Sequence, residues 1–197
     1  TDPEQITLYS QDVFTVGPPI CAVVRPRNID EVQALVRACL ERGTPIVTRG
    51  GGMSYTSGYI ANAPDSVLID MASMDAIVEV NLEDRYVTVE AGCSWQKLYE
   101  HLAPLGVRTA YWGTLSGRYA TVGGGLSQNS IFWGSGQRGT AADNVLSVSV
   151  VTGKGDLLET GSAAQQHAAP FTRHFGPDLT GVFLSLIHIS EPTRRLI

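Results

Sequence analysis

"TRGGGMSY", residues 48–55, is the stretch on which the reading turns. The apolar strand-like run "TPIVT" feeds three successive glycines, and Ser54 follows with no lysine to make a P-loop. Without a Cβ, Gly50, Gly51 and Gly52 let the backbone take unusual angles and approach a ligand closely. Consecutive N–H groups turned inward form a nest suited to a pyrophosphate. Ser54 adds a hydroxyl donor and Arg49 a positive charge. Taken alone, the glycines are also accounted for by a plain tight turn.

A second cluster, "GTLSGRYATVGGGLSQNS" at 113–130, again combines glycines with Ser, Thr and Asn donors. Two such loops can grip one extended dinucleotide from both sides. By contrast "GSGQRG", Gly134 to Gly139, matches GxGxxG with Glu159 about 20 residues downstream, but that fingerprint needs a strand before and a helix after. Here the strand-like "VLSVSVV" follows, so a Rossmann site is rejected, with no helix dipole expected there.

The elements around these loops are readable. "NIDEVQALVRACLERG" is a helix with Asn28 or Asp30 at its start, apolar Ile29, Val32, Leu35, Val36, Cys39 and Leu40, and a left-handed stop at Gly43. "SVLIDM" is an apolar strand. "AIVEV" and "RYVTVEAG" form a hairpin, as do "VLSVSVV" and "LLETG". "SWQKLYEHLAPLG" is a helix capped by Ser94, with Trp95, Leu98, Leu102 and Leu105 on one face. Helix–strand units precede antiparallel hairpins, which defines an α+β class with a boundary near residue 80.

The 197 residues carry a net charge of -5, which speaks against a nucleic-acid partner. No apolar run approaches the ~20 residues of a membrane span. The cysteines and histidines are scattered, with no metal-ligand spacing, and Cys39 reads as a small buried hydrophobe. GxSxG, HExxH, CxxC and GKS/GKT are absent, so catalytic residues are not assigned and no metal is expected.

The ordered motifs "PRNIDEVQALV", "VTRGGGMSYTSGY", "VLIDMASMDAIVEV", "VTVEAGCSWQKLYEHL", "TLSGRYATVGGGLSQNS", "GTAADNVLSVSVV" and "GPDLTGVF" cover about residues 21 to 183. Together they resemble the FAD-binding domain of FAD-linked oxidoreductases of the vanillyl-alcohol oxidase and p-cresol methylhydroxylase type, most of all the glycolate oxidase and D-lactate dehydrogenase branch. The resemblance implies a PCMH-type domain over 1–183, its small parallel α/β subdomain (about 1–80) packed on a larger mixed α+β subdomain (81–183), with FAD between them. It implies FAD binding by Arg49, Gly50, Gly51, Gly52, Met53, Ser54, Gly58 and Tyr59, and by Ser116, Thr121, Val122, Gly123, Gly124, Ser127 and Asn129. Covalent members carry a histidine where Met53 stands, so non-covalent FAD is expected. A C-terminal cap domain is implied to supply the substrate pocket and catalytic base.

The activity implied is oxidation of a small 2-hydroxy acid or alcohol, with electrons passing to oxygen, a cytochrome or another acceptor protein, or a quinone. An enolpyruvyl-sugar reductase and a non-catalytic flavin-binding module are the alternatives. The expected location is cytoplasmic, open to peripheral attachment at the inner membrane through partners. Finally, "LSLIHISEPTRRLI", 184–197, resembles a translated sequencing-library adaptor, and the expectation is that it is foreign to the native protein.

Overall fold

The computed structural model describes residues 2–164, 173 and 176–184. Helix α1 (Pro3–Tyr9) starts where the Asp2 side chain accepts from Glu4 N–H and Pro3 occupies the first turn, a position where the missing donor costs nothing. Strand β1 (Ala22–Val24) leads into α2 (Ile29–Arg42) and β2 (Ile46–Arg49), and β3 (Val67–Asp70) then enters between the two strands. The three pair in parallel in the order β1-β3-β2. Sequence reasoning missed α1 and β1.

All four β3 residues are buried, as a strand must be when both faces of its sheet are covered. Successive side chains alternate faces, so Ile69 joins Val32 and Val36 of α2 with Met74. Leu68 joins Ile20 and Ala61 on the other side, against Ile6 and Tyr9 of α1. Truncating Leu68, fully buried, to alanine costs about 2–5 kcal/mol. Helix α2 follows its sequence signals: Asn28 caps it by accepting from Glu31 N–H, and Gly43 ends it at φ 64°. Ile29 and Leu40, expected on the apolar stripe, are exposed because they lie at its margins.

A second core forms around α3 (Trp95–Leu102), capped by Ser94. Its Trp95, Leu98 and Leu102 pack with Cys93, Tyr111 and Val122, and the hairpin of β4 (Ile77–Asn81) and β5 (Tyr86–Val89) lies against them. Met74 belongs to the first core and Ile77 to the margin of the second, while Val151, far downstream, packs back on the first. Leu105 does not share the α3 face and is exposed. Pro104 cannot donate to the helix, the chain tightens into a 3-10 turn over Ala103–Leu105, and the tighter winding rotates Leu105 off the stripe.

The second glycine cluster is also more regular than a loop. Helix α4 (Val122–Ser127) starts at Thr121, whose side chain accepts from Gly124 N–H. Glycine costs about 1 kcal/mol per helical position; here the cap and tertiary hydrogen bonds offset that. A further correction concerns "GSGQRG", where one helical turn, α5 (Ser135–Arg138), does begin after Gly134 at φ 97°. Four residues make too short a helix for a useful dipole, and no strand precedes it, only an isolated Trp112–Trp133 bridge.

Strands β6 (Ser149–Val151) and β7 (Leu157–Glu159) form the last hairpin, shorter than "VLSVSVV" suggested. Helix α6 (Leu179–Val182) closes the described chain. Cys39 is buried and unbonded. Leu184, the first residue of the adaptor-like stretch, is buried; His167, His174 and residues 185–197 lie outside the described residues. No helix among the described residues is long and apolar enough to cross a membrane, and among them no three His, Cys, Asp or Glu side chains could hold a metal ion.

Candidate functional site

Ligands of open parallel sheets collect at the carboxyl ends of the strands, and here those ends are charged. Arg25 follows β1, Arg49 ends β2 and Asp70 ends β3. A cleft of about 280 Å³ opens beside them. Arg49, Gly50 and Gly51 contribute from the first glycine segment; Arg118, Tyr119 and Thr121 come from the second; Tyr9, Asp70, Ala72 and Gly92 complete it.

The two glycine segments meet at this cleft. A Cβ on Gly51 would strike the Tyr119 carbonyl, and one on Gly50 would strike the Thr121 hydroxyl. Glycine at these positions is thus required by close approach of protein to protein. Gln128 donates to Ser54 Oγ, which also lies 2.8 Å from Thr56 Oγ1. Gly52 sits at φ 65°, and a Cβ there would strike the Arg49 guanidinium. Tyr59, buried, donates from its hydroxyl to Gly52 O at 2.8 Å, and burial pushes its pKa up while Arg49 opposes the rise.

The donors divide unequally between the segments. Val122 N–H donates to Cys93 O, Gly123 N–H to Ala91 O and Gly125 N–H to Thr121 O, while Gly124 N–H reaches Thr121 Oγ1. The amino-terminal donors of α4 are therefore spent within the fold. The N–H groups of Gly51, Gly52 and Met53 donate to no acceptor among the described residues. Arg49 Nη1 is buried and likewise has no partner there. Three consecutive backbone donors and a guanidinium whose buried Nη1 is unpartnered, all lacking acceptors among the described residues, fit an anionic diphosphate.

Of the residues expected from sequence, Arg49, Gly50, Gly51 and Thr121 line the cleft. Met53, Ser54 and Tyr59 extend the first segment beyond it. Gly58 lies near Gln128, 3.9 Å from its Nε2 as measured from a notional Cβ. Val122 is buried in the second core. The Ser116 carbonyl accepts from Tyr119 and Ala120 N–H, and Ser127 donates back to Gly123 O. Asn129, left-handed at φ 45°, accepts from Ala142 N–H at 2.9 Å and so ties α4 to the turn after α5.

Sequence reasoning passed over Tyr9, Asp70, Ala72, Gly92, Arg118 and Tyr119. Arg118 and Tyr119 lie inside the second glycine cluster, and Asp70 closes the apolar strand "SVLIDM" before its last residue. Tyr9 left no such signal, because only the fold brings α1 to the cleft.

With this geometry in view, the comparisons with known proteins are specific. The family described as "FAD binding domain" matches residues 20–161. The chain belongs to that family, and FAD is its cofactor. D-lactate dehydrogenase [cytochrome], mitochondrial, of Arabidopsis thaliana is 34% identical over 178 residues, covering 88% of this chain and 30% of the relative. The glycolate oxidase subunit GlcD of Bacillus subtilis is 29% identical over 83% of this chain and 33% of its own. D-2-hydroxyglutarate dehydrogenase of Escherichia coli is 36% identical over 71% of this chain and 14% of its own. The chain thus spans a third or less of these relatives. The structure of p-cresol methylhydroxylase with substrate bound superposes with a TM-score of 0.78 over 93% of this chain and 36% of that one. At 21% identity that likeness speaks to the fold, which is the PCMH type of small parallel sheet joined to a mixed α+β part.

Proposed function

We propose that this chain is the cofactor-binding part of an oxidoreductase that oxidises a small 2-hydroxy acid, with FAD held non-covalently. The observation that carries the substrate class is chemical convergence among the relatives: lactate, glycolate and 2-hydroxyglutarate share one 2-hydroxy-carboxylate group. FAD supplies hydride acceptance when bound, and the protein supplies binding, orientation and electrostatics. In this assignment the N–H groups of Gly51, Gly52 and Met53, with Arg49, hold the diphosphate. Gly50, Ser54, Gly58 and Tyr59 shape the same wall, and Ser116, Thr121, Val122, Gly123, Gly124, Ser127 and Asn129 build the facing one. The cleft is too small for a whole dinucleotide, so the rest of FAD extends beyond it.

Residues 1–183 form one FAD-binding domain in this reading, the substrate pocket and catalytic base belong to a separate part, and 184–197 are foreign. Electrons leave to an acceptor protein or a quinone, from a cytoplasmic enzyme. The experiment is anaerobic mixing of FAD-loaded full-length protein with D-lactate, glycolate and D-2-hydroxyglutarate. Bleaching of the flavin absorbance by one of them is expected. Bleaching only by NADPH, or by no donor at all, would overturn the hydroxy-acid assignment.

A further inference from the structure

The cation at the carboxyl end of β2 is held by aromatic rings, with no carboxylate on it among the described residues. The Arg49 guanidinium carbon lies 4.6 Å from the centroid of the Tyr9 ring and 4.7 Å from that of Tyr59. Both distances are within the range of cation–π attraction. Each ring is itself tied down through its hydroxyl. Tyr59 donates to Gly52 O. Tyr9 donates to Asp70 Oδ2 at 2.9 Å and accepts from Arg25 Nη2 at 2.6 Å. Asp70 also accepts from Arg25 Nε at 2.7 Å and Ala72 N–H at 3.1 Å. The buried carboxylate is therefore used to fix Tyr9 and Arg25, and Arg49 keeps an unpartnered Nη1. Tyr9 belongs to α1, ahead of the residues that match the family.

We propose that Tyr9 is a positioning residue of the cofactor site, acting through Arg49. Its ring holds the guanidinium against Gly52 with its charge uncompensated, ready to meet an anionic diphosphate. A free arginine side chain loses considerable rotamer freedom on binding a ligand, and stacking it beforehand removes much of that cost. The Asp70–Arg25 pair keeps the ring in place while engaging the carboxylate of Arg49's register partner. This role rests on the reading of Arg49 to Met53 as the diphosphate site. It adds to that site a residue from a helix outside the matched family region.

The test is a double-mutant cycle read by calorimetric titration of FAD-depleted full-length protein with ADP, which carries the diphosphate without the flavin. Circular dichroism verifies folding. Arg49→Met should weaken ADP binding. Tyr9→Leu should weaken it about tenfold, the size of the cost of immobilising one rotamer-rich side chain on binding, and should add nothing in the Arg49→Met background. A purely structural role for Tyr9 predicts the same loss in both backgrounds, and that additivity would overturn the proposal. So would unchanged ADP affinity in Tyr9→Leu when Arg49→Met has lost it. Unchanged affinity in Arg49→Met overturns the diphosphate reading itself, and with it any role for Tyr9 through Arg49. Tyr9→Phe keeps the ring and cuts its tie to Asp70 and Arg25, and it decides the matter where Tyr9→Leu does not fold. A roughly threefold loss, the size of one net hydrogen bond, should appear and then vanish in the Arg49→Met background; persistence there overturns the proposal.

Discussion

Arg49 and Asp70 are register partners at the carboxyl ends of β2 and β3, yet their charges do not pair. Asp70 is bridged to Arg25 and bonded to Tyr9, while Arg49 forms no ion pair with any described residue. Two strands that end side by side thus place an occupied anion next to an unoccupied cation. A pair between them would have neutralised the guanidinium before any ligand arrived.

Asp70→Asn tests how much this arrangement contributes to stability. The carboxylate is buried and accepts from three groups, and an amide of the same shape turns two donors toward one or more of them. Loss of charge-assisted bonds at a buried site costs about 1–3 kcal/mol. For a chain of this length that lowers the melting temperature by several degrees, at about 2–4 °C per kcal/mol. A melting curve unchanged within error would mean that Asp70 is dispensable to the packing of α1.

The second prediction is that FAD leaves the protein on denaturation. The resemblance of the first glycine segment to the family places Met53 where covalent members carry histidine, and a thioether cannot form the histidyl bond to the flavin. Precipitating FAD-loaded full-length protein with acid should leave the yellow colour in the supernatant. Colour retained in the washed pellet would contradict non-covalent attachment.

A pH dependence follows from Asp143. Its carboxylate is held below the usual range first by the backbone N–H of Thr140 and then by the Thr140 hydroxyl. A folded pKa below the unfolded one contributes stability that is present above the unfolded value and is lost as pH falls through the folded one. The turn from Thr140 to Asn144 should therefore loosen below about pH 4, the ordinary carboxylate value. Because Ala142 N–H donates to Asn129, that loosening reaches the wall built by α4. The Thr140 amide resonance should titrate below the ordinary carboxylate value, and Asp143→Asn should abolish the titration. A Thr140 resonance that titrates at or above the ordinary carboxylate value, or that still titrates in Asp143→Asn, would rule this out.

Local signals made much of the fold legible and long-range contacts hid the rest. Asn28, Gly43 and Ser94 act within three or four residues of themselves, so their caps could be read directly. The β4–β5 hairpin was visible for the same reason. Leu105 was misplaced because apolar periodicity continued through Pro104 where the backbone did not. Helix α4 was hidden because glycine propensity argues against it, and its support comes from Ala91 and Cys93, some 30 residues away. At the site, Arg49 and the glycines could be found from composition alone. Tyr9 could not, since it meets Arg49 across 40 residues of chain and its own neighbours carry no sign of a ligand.

The last prediction concerns Gly51, where two explanations for a bare backbone now stand together. One is the approach of a diphosphate to its free N–H; the other is the Tyr119 carbonyl, which occupies the place a Cβ would take. Gly51→Ala therefore forces the two glycine segments apart, and overpacking of this kind costs about 1–3 kcal/mol. Gly51→Asp adds a negative charge at the same place. Like charges about 4 Å apart repel by about 4 kcal/mol at an effective dielectric of about 20, and each ~1.4 kcal/mol is tenfold in affinity. FAD affinity of the full-length protein should fall by roughly tenfold in Gly51→Ala and several hundredfold or more in Gly51→Asp, with the urea midpoint lowered in both. Gly136 is the control, because a Cβ there meets nothing within 4 Å, and Gly136→Asp should leave FAD affinity unchanged. If Gly51→Asp binds FAD no worse than Gly51→Ala, the added charge meets no phosphate, and Gly51 serves only the packing against Tyr119.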